Sequence, residues 1–436
     1  MILLKNAQLF DGKELSEEPM DVLVEGGMVK KIAPSIECKD SIEVIDLQGK
    51  VLCPGFIDLH AHFRDPGFEW REDIISGAQA AASGGYTTVV AMPNTDPAID
   101  IPSLVTYVAE KGRQAGAARV LPSACVSHGR KGEIMAEMGL LREAGAVLFT
   151  DDGAPVRTSK LLRTALLYSR DVGAVIMEHP EDPSLTEKGQ VNEGRVSAVS
   201  GLKGFPHSAE YIDIERGIAL SRETGAPIHF THVSTALSFK AIANAKKEGL
   251  PVTCDVTPHH VSLDENNVII SRYHSVYKVN PPLRSREDVK AAWEAIADGT
   301  VDAIATDHAP WHLNEKDLPF QEASFGIASL ECAVAVVLDT WIKMGQPVAL
   351  NRLLQLFTSG PASILPAEWR KLGILKEGAV ADLTVLDLEE SKVVDVNTWN
   401  SKARLTPWDG EVLTGWPVMT ILEGRVWHKG RSHGSD

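Results

Sequence analysis

Residues 236–256 read ALSFKAIANAKKEGLPVTCDV. Phe239, Ile242 and Ala245 recur at helical spacing, the stretch stops at Gly249, and a continuously apolar, β-rich run follows. A glycine at that point suits a helix ended by a left-handed residue, where a Cβ would be penalised. An unbroken apolar run suits a strand buried on both faces of a parallel sheet. The same phrase recurs outward from this unit: Gly85 before YTTVVAM, Gly116 before AARVLPSA, Gly145 before AVLFTD, Gly173 before AVIMEH, Gly225 before APIHFTH and Gly299 before TVDAIATD. With the earlier strand VLCPGFIDLHAHF, the seven units make eight strands, the number that closes a (β/α)8 barrel of the TIM type. An open doubly wound sheet is the competing architecture, but no GxGxxG follows the first strand.

The ends of the chain have another texture. Residues 1–53 carry short alternating strands and tight turns, and residues 366–436 return to them in ADLTVLDLE, EVLTG and VMTILEGRVWHKG. The expectation is an α/β protein: a barrel over 54–365 and a small composite β-sandwich built from both terminal segments. The tail GRSHGSD is expected to be disordered.

The chain has 436 residues, 44% hydrophobic and 23% charged, with a net charge of −16. It has no Lys/Arg-rich run, so nucleic acid and anionic membrane are not expected as partners. Five scattered cysteines without a CxxC pair argue for a reducing compartment, and the early polar residues of MILLKNAQLFDGKELSEEP argue against a signal peptide. No apolar run reaches the length of a membrane span. The expected setting is cytoplasmic.

In a parallel barrel the chemistry lies at the C-terminal ends of the strands. His60 and His62 end the first strand, Asp151 and Asp152 the fourth, and His179 the fifth; His232 lies just past the sixth, and Asp307 ends the eighth. Residues two apart on a strand share a face, so His60 and His62 can chelate one ion. A hydrogen-bonded polar plug is the bland alternative, but five strand ends sharing one ligand chemistry exceed what packing asks for. His128, His207, His229, His274, His428 and His433 have no such placement and read as structural or surface groups. His259 and His260, in VTPHH, read as loop organisers rather than ligands.

The stretch at 54–100, PGFIDLHAHFRDPGFEWREDIISGAQAAASGGYTTVVAMPNTDPAID, resembles the N-terminal signature of class I bacterial dihydroorotases of the amidohydrolase superfamily. FTDDGAPV, MEHPED, HFTHVSTALS, KVNPPLR, IATDHAP, EKDLPFQEASFGIASLE and TGWPV extend the likeness over nearly the whole chain. The resemblance implies reversible, zinc-dependent cyclisation of N-carbamoyl-L-aspartate to (S)-dihydroorotate in pyrimidine biosynthesis. It implies two zinc ions: His60, His62 and Asp307 hold one, His179 and His232 the other, and Asp152 and a hydroxide bridge them. Other branches bridge with a carboxylated lysine, but no lysine ends the fourth strand here. Strand parity alone does not separate Asp152 from Asp151. Asp307 is the implied catalytic group, passing a proton from the attacking water to the leaving nitrogen.

The same resemblance assigns substrate binding to Arg64, Asn94, Asn280 and the backbone of Phe325 and Gly326. An arginine fork matches the ring carboxylate of dihydroorotate, which simple hydantoins and dihydropyrimidines lack. The chain departs from the family in two places. The family's DHAPH, whose last histidine helps bind that carboxylate, appears here as Asp307-His308-Ala309-Pro310-Trp311-His312; and Asp255 stands where glutamate is expected. Either His312 reaches the site, or Arg64 carries more of the carboxylate. The charged run 311–326 has the character of a lid. Two further readings stand beside the first: a hydantoinase- or allantoinase-like cyclic-amide hydrolase, which Arg64 argues against, and an inactive structural partner of aspartate transcarbamoylase, which should have lost ligands. A homodimer, and association with aspartate transcarbamoylase as an active enzyme, stay open.

Overall fold

The computed structural model describes residues 1–37 and 42–429; the tail GRSHGSD, Cys38 and His433 lie outside the described residues. Eight strands run in chain order around one parallel sheet: Phe56–Ala61, Tyr86–Ala91, Arg119–Ala124, Leu148–Phe149, Val175–Glu178, Ile228–Phe230, Val252–Val256 and Ala303–Ile304. Each of the seven glycines read as a helix stop has positive φ, from 64° at Gly173 to 116° at Gly145. In that region an L side chain is strained, so the repeat is a backbone requirement rather than a composition bias. Helix starts are equally local: Thr235 caps Ala236–Lys247 by accepting from the Ser238 amide.

The first and eighth strands close the ring through the bridge between Ala61 and His308, the His62 amide on the His308 carbonyl at 2.8 Å, and the Thr306 amide on Asp58 Oδ1 at 2.9 Å. Ile57, Leu59, Val90, Leu121, Leu148, Met177 and Ala303, from six strands, share one apolar cluster, which only a barrel interior allows. Outside, the small-residue run SGAQAAASGG lets helix Ile74–Ser83 lie close to the barrel: a Cβ on Gly77 would sit 2.4 Å from the Phe63 ring.

The termini meet in one eight-stranded sheet. Its order is Arg425–Lys429, Val412–Leu422, Leu383–Val393, Val51–Pro54, Ile2–Leu9, Met20–Glu25 and Met28–Ala33, with Glu43–Asp46 also paired to Ile2–Leu9. It folds over its own cluster of Leu4, Val22, Leu52, Leu383 and Ile421. It is tied to the barrel by Thr384 Oγ1 on the Gly85 carbonyl and Thr420 Oγ1 on the Ala82 carbonyl, both at 2.6 Å. Among the described residues no helix is long and apolar enough to cross a membrane.

Candidate metal centre and substrate pocket

Six side chains from five strand ends converge at the C-terminal mouth of the barrel. His60 Nε2 and His62 Nε2 stand 3.2 Å apart. Asp307 Oδ1 lies 3.0 Å from His62 Nε2 and 3.5 Å from His60 Nε2. Asp152 faces both ways: Oδ2 is 3.3 Å from His60 Nε2 and 3.5 Å from His62 Nε2, while Oδ1 is 3.5 Å from His179 Nδ1 and 3.7 Å from His232 Nε2. His179 Nδ1 and His232 Nε2 are 2.9 Å apart. All six residues are buried. Asp151 turns away, accepting from the Val126 and Ser127 amides and the Ser127 hydroxyl. Three residues here share a left-handed backbone that their side chains disfavour: Arg64 at φ 59°, His232 at 42° and Asp307 at 44°. Strain of this kind gathers where a site needs a side chain aimed against local preference.

The donor set fits a cation. His62 Nδ1 lies 2.9 Å from Asn94 Oδ1, an acceptor, so its proton sits there. His60 Nδ1 lies 2.8 Å from Thr231 Oγ1, whose own hydrogen goes to Asp255 Oδ2 at 3.0 Å. His179 Nε2 faces Glu181 Oε2 at 3.1 Å. His60, His62 and His179 thus spend their outer nitrogens on partners in the protein and turn their inner nitrogens toward one another, toward His232 and toward two carboxylates. Among the described residues, Asp152 Oδ1 is buried and accepts no hydrogen bond. Converging acceptors without a donor are unfavourable unless a cation sits among them. Ligands bonded at about 2.1 Å around a tetrahedral ion stand roughly 3.4 Å apart, the spacing found here. In the protein alone, burial opposes charge on His60 and His179, yet the carboxylates around them, Asp152 first, with Asp307 beside His60 and Glu181 beside His179, outweigh it and raise them to about 9 and about 10, so a proton takes the place of a metal cation there. Burial likewise works against ionised Asp152 and Asp307, and the surrounding imidazoles hold both well below the usual carboxylate range.

Beside this cluster is a cavity of 230 Å³ lined by Arg64, Asn94, Asn280, Trp311, Phe325 and Gly326 together with metal-centre residues. A larger groove of 480 Å³, around Val261, Asp264, Arg286 and Met344, lies elsewhere and contains none of them. Arg64 is 7% exposed, and its Nε donates to the Pro310 carbonyl at 3.3 Å. It forms no ion pair with Asp65 or Glu69: Asp65 is taken by Lys111 at 2.6 Å, and Glu69 accepts from the Gly67 amide. Asn280 Nδ2 donates to Glu181 at 3.0 Å, leaving its buried Oδ1 unpaired. The Phe325 carbonyl accepts from Trp311 Nε1 at 2.7 Å, and the Gly326 amide donates to the Lys278 carbonyl at 3.0 Å. His312 does not reach the cavity; it is exposed and caps the short helix Leu313–Lys316. His308 is fully buried and accepts from the Ser329 and Leu330 amides, with Glu72 on its far side at 3.5 Å.

The residues that orient the candidate ligands are not legible in the sequence as such. Thr231 and Asp255 hold His60, Asp255 also takes the His232 amide at 2.6 Å, and Glu181 links His179 to Asn280. Glu181 stands two residues after His179 in MEHPED, which is the one local signal available. His229 belongs to this layer rather than the surface, with Nε2 2.8 Å from Asp255. His260 bonds the Pro281 carbonyl at 3.1 Å and so organises the loop bearing Asn280, whereas both ring nitrogens of buried His259 lack a partner among the described residues.

A family model described as dihydro-orotase-like matches residues 49–238, and one described as amidohydrolase family matches residues 295–428. A dihydroorotase of Pelobacter propionicus is 42% identical over 425 residues, covering 98% of this chain and 99% of that protein. One from Geobacter metallireducens is 42% identical over 428 residues, with the same 98% and 99% coverage. Among solved structures, an L-hydantoinase (dihydropyrimidinase) from Arthrobacter aurescens matches at TM-score 0.86 and 25% identity, covering 100% of this chain and 97% of that one. A dihydropyrimidinase from Brevibacillus agri matches at 0.82 and 21%, covering 98% and 95%.

Proposed function

The chain belongs to the dihydroorotase family, and from that premise we propose that its site interconverts N-carbamoyl-L-aspartate and (S)-dihydroorotate with two zinc ions. The observation that carries the substrate is Arg64. A guanidinium that is 7% exposed, with no carboxylate in salt-bridge contact among the described residues, calls for an anion, and the cavity puts that anion beside the His/Asp cluster. A ring carboxylate meets that demand; an uncharged hydantoin or dihydropyrimidine does not. Hydantoinase structures share the fold, but here an aspartate, Asp152, stands at the fourth strand end, and this also supports placement in class I.

His60, His62 and Asp307 would hold one zinc and His179 and His232 the other, with Asp152 between them. When bound, the metal pair would supply an acidified water and a polarised ring carbonyl. The residues do the rest. Arg64 would fork onto the ring carboxylate, aided by the Asn94 amide nitrogen, since Asn94 Oδ1 is already committed to His62. Asn280 Oδ1 offers an acceptor for a ring N–H. Asp307, ionised at neutral pH, would take the proton of the attacking water and deliver it to the amide nitrogen as the C–N bond breaks. Reversed, it takes the proton from the carbamoyl nitrogen during closure. Four buried free cysteines, Cys53, Cys125, Cys254 and Cys332, support a reducing, cytoplasmic setting.

The test is chelation followed by zinc titration of the full chain, reading dihydroorotate hydrolysis by loss of ultraviolet absorbance. Activity should vanish on chelation and return as zinc binds. A stripped protein that keeps full turnover would defeat the metal assignment.

A further inference from the structure

Two arginines bear on one indole at the rim of the cavity. The guanidinium carbon of Arg64 lies 4.8 Å from the centroid of the Trp311 ring, and that of Arg71 lies 4.2 Å from it. Trp311 is fixed at its edge: Nε1 donates to the Phe325 carbonyl at 2.7 Å, and a Cβ on Gly326 would sit only 2.9 Å from that nitrogen. Arg71 is fixed from outside, its Nε 3.0 and 2.9 Å from the two Glu315 carboxylate oxygens, and it also covers the rings of Phe68 and Trp70. The turn at Phe68–Arg71 and the segment 311–326 are thereby clamped together over one side of the cavity.

The indole's single donor is spent on Phe325, so Trp311 has no hydrogen bond to give a ligand. What it offers is a π face. Stacking on that face fixes a guanidinium plane while leaving its in-plane N–H groups free for a carboxylate fork. Arg64 needs such support, because its one hydrogen bond to protein among the described residues, through Nε, is a long 3.3 Å and Arg71 repels its charge.

We propose that Trp311 supports the selectivity of Arg64 for a carboxylated ring: it positions Arg64 by stacking, with the Arg71–Glu315 pair as its outer clamp. This inference rests on the reading of the site as a dihydroorotase. Trp311 is a positioning residue, acting on substrate affinity and not on the metal-centred chemistry.

The experiment uses the zinc-loaded full chain as wild type, Trp311→Ala, Trp311→Phe, Arg64→Met and both double variants with Arg64→Met. Trp311→Ala should raise KM for dihydroorotate about 5- to 30-fold, the size of a desolvated cation–π contact, while kcat moves by less than about threefold. Trp311→Phe keeps a ring face and should raise KM by less, about two- to fivefold. In the Arg64→Met background either Trp311 change should add less than about twofold to the loss in kcat/KM, because the group it positions is gone. A KM that ignores Trp311 in an active wild type overturns this inference alone, as does a Trp311 cost that persists undiminished without Arg64. If Trp311→Ala does not fold, the Trp311→Phe pair carries the same comparison. A well-folded, zinc-loaded wild type with no dihydroorotate turnover would instead overturn the reading of the site.

Discussion

The two ends of the same eight strands are built from different chemistry. Where the first strand begins, Phe56 packs edge-on to Tyr86 at 6.3 Å and against Phe357 at 5.4 Å, and the helix Ser359–Ile364 lies so close that a Cβ on Gly360 would sit 2.0 Å from the Asp302 carbonyl oxygen. Where that strand ends, five residues on, His60 and His62 join Asp152, His179, His232 and Asp307 in a cluster short of donors. One end makes the barrel stable, and the other spends that stability on left-handed backbone and unpaired acceptors. The contrast predicts that substitutions at the two ends will separate stability from turnover.

The largest separation should come from Asp307→Asn. Loss of the proposed base and of a proposed ligand oxygen should lower kcat by at least about 10³-fold with thermal stability nearly unchanged. Residual activity within tenfold of wild type would remove Asp307 from the chemistry. At the other end, Phe56→Ala should destabilise the fold by about 3–5 kcal/mol through the cavity it leaves, while molecules that remain folded keep their kcat. Chemical denaturation with activity normalised to folded protein reads both quantities. Equal damage to stability and kcat would erase the distinction between the ends.

This division was largely visible in the sequence because both of its causes are local. A strand buried on both faces must be continuously apolar, and a helix stopped in left-handed backbone favours glycine, so seven units announced themselves. His60-x-His62 is local too. What joins strands was not legible. Thr231 and Asp255 act on His60 from the sixth and seventh strand ends, with no spacing in sequence to connect them. The stacking of Arg64 on Trp311 spans 247 positions, and the change from histidine to tryptophan read only as a lost polar partner. Asp152 and Asp151 are separated only by the conformation of the turn, which sends one inward and the other to the Val126 and Ser127 amides.

Asp255 sits one layer below the cluster, between its chemistry and the packing beneath it. Asp255→Asn would loosen the hold on Thr231 and the His232 amide, and should weaken zinc affinity by about 10- to 100-fold at little expense in stability. Competition with a chelator reads it; unchanged affinity would mean the ligands are oriented without this layer.

The smallest effect concerns Lys316, in the segment over the cavity. Its Nζ donates to the Lys278 and Ser324 carbonyls at 2.8 and 2.9 Å, and burial, then Lys278, lower its pKa from 10.5 to about 7. Between those values the unfolded chain keeps the proton that the folded chain has released, so stability rises with pH through that window. Wild type should therefore gain stability relative to Lys316→Met as pH goes from about 7 to about 10. A difference that stays flat with pH would show that Lys316 is not desolvated in solution.

Whether this cluster and Arg64 act together as a dihydroorotase is read from kcat/KM of the zinc-loaded chain for dihydroorotate beside dihydrouracil, hydantoin and allantoin under one set of conditions. Turnover of dihydroorotate is expected, with the three rings that lack its carboxylate slower by about 10²-fold or more, the worth of a buried charge pair. Turnover of an uncharged ring at a comparable or higher rate would contradict it, because the buried guanidinium of Arg64 would then have no part in choosing the substrate.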